Sequence, residues 1–243
     1  MKLIKLDAID STNNFLKGLS KDKNIENFTV VSTLNQTKGK GQMGAKWLSE
    51  FGKNLIMSVL IKDVFVSTNG IFNLNVLVAV SIIQVLESLQ IPNLNIKWPN
   101  DIMAENKKIG GILIENSFKE NAKVESIVGI GLNVNQINFS DLPRASSIGL
   151  IMKENYDLES LLKQIIKEII VNSNLILNTS FDNSRANYQN LLFKINVPMA
   201  FERASNLKFM GIIKSVSENG LLEILLEDDT IKQFSIKEIL MLY

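Results

Sequence analysis

The sequence predicts a mixed α/β protein, a sheet flanked by helices, followed by a small all-β tail. Two observations predict it. Ile71, Leu74, Val78, Ile82, Val85, Leu86 and Leu89 recur at helical spacing, among apolar runs of strand length at 54–61, 108–116 and 124–134. From Asn196 onward the period shortens: Leu222, Ile224 and Leu226 alternate with Glu223, Leu225 and Glu227, between turns at Asn219-Gly220 and Asp228-Asp229. With 243 residues, 46% of them apolar, the chain can bury one large domain and carry a small one.

In chain order, residues 3–6 read as a short strand, and Asp10 or Ser11 caps a helix running toward Leu19. Residues 28–34 form a strand that feeds a glycine-lysine loop, and the strand 54–61 follows that loop. The helix from Ile71 covers one face of the sheet, its apolar stripe being core. A strand at 94–98 ends where Pro99 cannot donate to a sheet. The runs 108–116 and 124–134 are central strands joined by a polar turn at Glu120-Asn121. Leu158, Leu161, Leu162, Ile165, Ile166 and Ile169 mark a further helix, and 181–192 another. The catalytic domain is expected at 1–193 and the β domain at 194–243. At about fifty residues the latter is small enough that it should pack on its neighbour.

Composition removes whole classes of chemistry. Cys and His are both absent, which excludes thiol nucleophiles, disulfides, zinc sites and imidazole bases, so no resident metal site is expected. Net charge is +1, so no global basic field draws the chain to nucleic acid. Asn73, Asn75, Ser81, Gln84 and Glu87 interrupt the apolar stretch 71–89, and neither a membrane span nor a signal peptide is read. A cytoplasmic location is expected by default.

Two segments carry local chemistry. The run Lys97-Trp98-Pro99-Asn100-Asp101, followed by Lys108 and Gly110-Gly111, gathers cations, a carboxamide and a carboxylate at a strand end. It reads equally as a strand-turn-strand with solvated lysines or as a phosphate-handling site. Upstream, Gln36-Thr37-Lys38-Gly39-Lys40-Gly41-Gln42-Met43-Gly44-Ala45-Lys46-Trp47 supplies glycines for close backbone approach, positive charge and one aromatic face. It is neither a Walker loop nor a Rossmann fingerprint, because a strand rather than a helix comes next.

Together with Asp10-Ser11-Thr12-Asn13 before them and Gly129-Ile130-Gly131-Leu132-Asn133-Val134-Asn135 after them, these segments resemble the biotin protein ligases in order and spacing. The resemblance spans the chain from about Lys2 onward. It implies a catalytic domain like that of class II aminoacyl-tRNA synthetases and a C-terminal SH3-like barrel. It further implies an enzyme that joins biotin to AMP, with release of pyrophosphate, and passes biotin to a lysine of a biotin carboxyl carrier protein. Substrates would be biotin and ATP, the latter with phosphate-bound Mg²⁺. The first strand begins almost at Met1, so no winged helix and no DNA binding are expected, while a homodimer is admitted.

Matched position by position, the resemblance puts Ser11, Thr12, Asn13 and Gln36 at the ureido ring of biotin, with Gly39, Lys40, Gly41 and Gln42 in the loop over it. Gly111 and Ile112 would line the tunnel for its tail. Trp47 is the candidate adenine platform, Asn100 the candidate for the base edge, and Asn133 for ribose or phosphate. Lys108 is placed against both the biotin carboxyl and the α-phosphate, as first catalytic residue, with Lys40 second. Asp101 is left between holding Mg²⁺ and accepting a proton. Residues 136–147 would fold over the adenylate. The loop departs from a well-studied version, GRGRRGR, by reading GKGQMGA, so Gln42 and Ala45 stand in place of arginines. Fewer charges should hold the adenylate less firmly. The alternatives are a lipoate or octanoate ligase of the same fold, and a non-catalytic RNA- or peptide-binding module. Against the module, the loop offers only Trp47 as a stacking aromatic.

Overall fold

The computed structural model describes residues 2–22, 24–63, 71–119, 124–178 and 181–243, with backbone alone at 176–178. Its first part is a seven-stranded mixed sheet. The strands are β1 (Leu3–Ile9), β2 (Val30–Gln36), β3 (Leu55–Lys62), β4 (Asn95–Lys97), β5 (Asp101–Ala104), β6 (Lys107–Phe118) and β7 (Val124–Leu132), in the order β1-β2-β3-β7-β6-β5-β4. β1 and β2 are parallel and the remaining pairs antiparallel. The expected central strands are therefore β6 and β7, while the turn at Glu120-Asn121 lies outside the described residues.

The helices are α1 (Thr12–Leu19), α2 (Ile71–Ser88), α3 (Ile148–Met152), α4 (Leu158–Asn178) and α5 (Asp182–Asn190). Strand alternation sorts them onto two faces. Leu55, Met57, Val59 and Ile61 of β3 join Val128, Ile130 and Leu132 of β7 in the main core with α2 and α4. Leu60 and Ile127 point the other way, into a smaller cluster with Val31 and with Leu16 of α1. By length and composition α2 could cross a membrane, yet it is a core helix whose Val78, Ala79, Ile82, Ile83 and Leu86 are fully buried. Its interrupting Ser81 is satisfied internally, donating to the Leu77 carbonyl.

A second, antiparallel sheet holds β8 (Pro198–Arg203), β9 (Lys208–Val216), β10 (Leu222–Leu226), β11 (Ile231–Phe234) and β12 (Ile239–Leu242), in the order β11-β10-β9-β8-β12. It fits the expected SH3-like barrel and packs on the first part. Trp98 Nε1 donates to the Gly220 carbonyl at 2.9 Å, and Gln189 brackets Val216 with two hydrogen bonds. The sequence reading of 94–104 lacked β5: the chain turns at Trp98-Pro99-Asn100, with a cis Trp98–Pro99 peptide, and Asp101 already pairs with Lys97.

Candidate active site

The α1 face of the sheet carries a cavity of about 450 Å³. Sheet register lays out its floor. Opposed residues of an antiparallel pair share a face, and Ile56, Gly131, Gly111, Asp101 and Lys97 are successive partners across β3, β7, β6, β5 and β4. The adjacent rung on that face is Ser58, Gly129 and Leu113. Three glycines thus leave bare backbone where side chains would fill the space. The clearance is already used by neighbours: a Cβ on Gly131 would fall 2.7 Å from the Trp47 ring, and one on Gly129 would strike the Asn13 carboxamide.

One end of the cavity is cationic. Lys108 Nζ lies 2.6 Å from Asp101 Oδ1 and Lys97 Nζ 3.7 Å from Oδ2. Lys108 and Gly111 are three residues apart and in a regular strand would face opposite ways. A register shift opposite Ile102 and Met103 pairs Met103 with Lys108, and this bulge brings the lysine to the cavity side. Its Nζ passes 3.7 Å from where a Gly111 Cβ would be. The Lys97 ammonium is held below its ordinary value chiefly by burial, with Lys108 and Arg144 adding repulsion and Asp101 opposing them. The Tyr243 hydroxyl is pushed up by burial and by the Asp101 charge, with Arg144 opposing.

The other end is lined by hydroxyls and carboxamides. Ser11 caps α1, accepting from the Asn14 N–H, as its sequence position predicts. Gln36 Oε1 accepts from both the N–H and the hydroxyl of Thr12, at 2.8 and 3.0 Å. Buried Ser58 sits within hydrogen-bond distance of Thr12 Oγ1 and Asn13 Oδ1, at 2.7 and 2.6 Å. Asn13 Nδ2 in turn donates to Glu115 at 2.8 Å. This network fixes which way each carboxamide points.

Over these ends folds the glycine-lysine loop, a tight hairpin. The Gly41 N–H donates to Ala45 and the Trp47 N–H to Gly39, with Met43 and Gly44 at positive φ in the turn. Lys40 is exposed and donates to Asn14 Oδ1 at 3.0 Å. The Trp47 indole N–H is buried without a partner, a free donor beside the floor.

Of the residues singled out in the sequence, Ser11, Thr12, Asn13, Gln36, Lys40, Gly41, Gln42, Trp47, Asn100, Asp101, Lys108, Gly111 and Ile112 line this one cavity. Gly39 does not; its carbonyl secures Trp47 instead. Asn133 is buried outside the lining, and its carboxamide donates to the Ser146 carbonyl at 3.0 Å. Asn100 faces the cavity with its carboxamide nitrogen engaged on the Ile112 carbonyl at 2.6 Å. Sequence reasoning missed Ser58, Gly129, Gly131 and Leu240. Ser58 was detectable as the one polar residue inside the apolar run 55–61, and both glycines stood in a quoted motif; Leu240 carried no signal.

The family model for the biotin/lipoate A/B protein ligases matches residues 6–135. A bifunctional ligase/repressor BirA of Bacillus spizizenii is 33% identical over 170 residues, covering 68% of this chain and 51% of that protein. A biotin--[acetyl-CoA-carboxylase] ligase of Mycobacterium tuberculosis is 30% identical over 122 residues, 49% of this chain and 44% of that one. The chain's matches thus span about half the length of these relatives. The solved structure of a biotin protein ligase from Aquifex aeolicus in complex with biotin and ATP matches with a TM-score of 0.79. It is 28% identical and covers 99% of this chain and 98% of that one.

Proposed function

The chain belongs to the biotin/lipoate A/B protein ligase family, and from that membership we propose that it is a cytoplasmic biotin protein ligase. It would condense biotin with ATP to biotinyl-AMP and pyrophosphate, then transfer the biotinyl group to a lysine of a biotin carboxyl carrier protein. The observation that carries this reading is the two-ended cavity: hydroxyls and carboxamides at one end, and a lysine pair around one carboxylate at the other. A cyclic urea with an apolar tail and a terminal carboxylate has the same polarity along its length.

In this reading Thr12, Asn13 and Gln36 meet the ureido ring, and the bare floor at Gly111 admits the bicycle, between Asn13 seated over Gly129 and Trp47 over Gly131. The tail runs along Ile112 and Leu113 toward Lys108. Both reactants are anionic where they meet, so preorganised positive charge is the largest help the protein can supply. One carboxylate oxygen attacks the α-phosphorus while the bond to pyrophosphate breaks. Lys108 lowers the charge on both partners, and Asp101 holds Lys108 in place. Lys40, exposed at the loop, adds a further cation beside Lys97 and Lys108, and Trp47 brackets the nucleotide. The acceptor amine then attacks the acyl carbon, AMP leaves, and the amine's proton passes to solvent or to Asp101.

Mg²⁺ is assigned to the triphosphate as part of the substrate. Both Asp101 oxygens face lysines, and no cluster of three or more acidic ligands exists among the described residues. ATP–pyrophosphate exchange with the purified protein tests the reading. Exchange driven by biotin supports it; exchange driven by lipoate or octanoate alone moves the substrate to that branch of the family, and none with any acyl acid removes catalysis.

A further inference from the structure

The β tail reaches the cationic end of the cavity through its last strand and Tyr243. Leu240 of β12 lines the cavity, and the Tyr243 ring sits between two cations. Lys97 Nζ is 5.2 Å from the ring centroid and the Arg144 guanidinium carbon 4.8 Å, both within cation–π range. Phe193 meets the same ring edge-on at 5.1 Å. Arg144 is tied to the catalytic lysine by backbone: the Lys108 N–H donates to the Arg144 carbonyl at 2.8 Å, and the Ser146 N–H returns to the Lys108 carbonyl at 3.0 Å. Lys97 and Lys108 share Asp101. Tyr243 therefore closes a ring of contacts that runs Lys97, Asp101, Lys108, Arg144.

Three cations and one carboxylate in so small a space repel one another on balance. An aromatic face accepts a cation without adding a charge that would compete with substrate for Lys108. The ring also clamps the segment around Arg144, whose carbonyl fixes the start of the bulge bearing Lys108. We propose that Tyr243 is a positioning residue for the activation step, holding Lys97 and Arg144 so that Lys108 stays against Asp101 at the cavity floor. This rests on the ligase reading of Lys108 given above. The competing role is seating of the β tail against Phe193, which predicts lost stability and nothing specific at Lys108.

Tyr243→Leu and Tyr243→Phe in the full chain separate the two. With leucine, kcat for biotin-driven exchange should fall about tenfold, with KM for biotin and the melting temperature unchanged; with phenylalanine, which keeps the ring and loses only the hydroxyl's hydrogen bond to Arg144, it should fall clearly less than with leucine. In the same proteins without substrate, amide hydrogen exchange at Lys108 and Ser146 should quicken about tenfold for leucine only. The proposal is overturned by wild-type kcat and amide rates in Tyr243→Leu, by equal losses in both variants, or by a loss of kcat that follows a lowered melting temperature. If wild type shows no biotin-driven exchange, the ligase reading fails, while the amide rates still decide whether Tyr243 holds the Lys108 segment.

Discussion

Lys108 Nζ lies 2.6 Å from Asp101 Oδ1, on the same face of the sheet as the glycine floor, because a β-bulge turns the lysine toward the cavity. The pair is partly exposed, so it orients the ammonium more than it stabilises the fold. Lys108→Met should lower the rate of biotin-driven exchange by about 10²- to 10³-fold, as removal of a preorganised charge does. Biotin affinity, measured by calorimetry, should change far less, since the ureido end is untouched.

Asp101→Asn leaves Lys97, Lys108 and Arg144 crowded with no carboxylate among them. The exchange rate should fall about tenfold or more, and raising Mg²⁺ should not restore it. Recovery with Mg²⁺ would instead make Asp101 a metal contact.

Lys97 supplies a pH test of stability. Its ammonium titrates below the ordinary 10.5, mainly because it is buried. Between the folded value and 10.5 the unfolded chain binds more protons, so the wild-type fold gains stability as pH rises through that window. Below it, burial of the charge costs stability in full. Lys97→Met removes that cost while Asp101 keeps Lys108. The variant should therefore be the more stable near neutral pH, and its advantage in urea denaturation should shrink as pH approaches 10.5. Tyrosine shifts common to both proteins cancel in the difference.

Ser58→Ala tests the polar end. It removes a buried hydroxyl that contacts both Thr12 and Asn13, leaving their oxygens short of a partner. A loss of about 1–3 kcal/mol in folding stability is expected, together with a raised KM for biotin. Gly129→Ala should raise that KM with less effect on KM for ATP, because its Cβ displaces Asn13. Gly131→Ala should do the reverse through Trp47.

Gln42 stands in the cavity wall where the resembling loop has arginine. Gln42→Arg should retain the adenylate better and reduce labelling of bystander lysines, read by mass spectrometry of a mixed protein pool. Equal diffuse labelling by both proteins removes the idea.

Much of this molecule was legible from local pattern. Helical spacing marked α2 and α4, the Ser11 cap opened α1, and period two marked the β tail, because backbone hydrogen bonding and burial impose those periods on any chain. The cavity-lining residues near the glycine-lysine loop were legible only in combination with the segment around Lys97 and the resemblance, since such a loop by itself reads as a basic surface loop.

The sequence by itself determined the larger elements, the absence of thiol and imidazole chemistry, and most of the residues that meet in the cavity. Tertiary structure decided which faces they share. The bulge that carries Lys108 across to Gly111, the engagement of Asn133 with Ser146 away from the lining, and the arrival of Leu240 and Tyr243 all depend on strand register and domain packing. The Tyr243 contacts join residues about a hundred positions apart or more, and the bulge and the Asn133 contact depend on hairpin register and loop path, none of which a local period records.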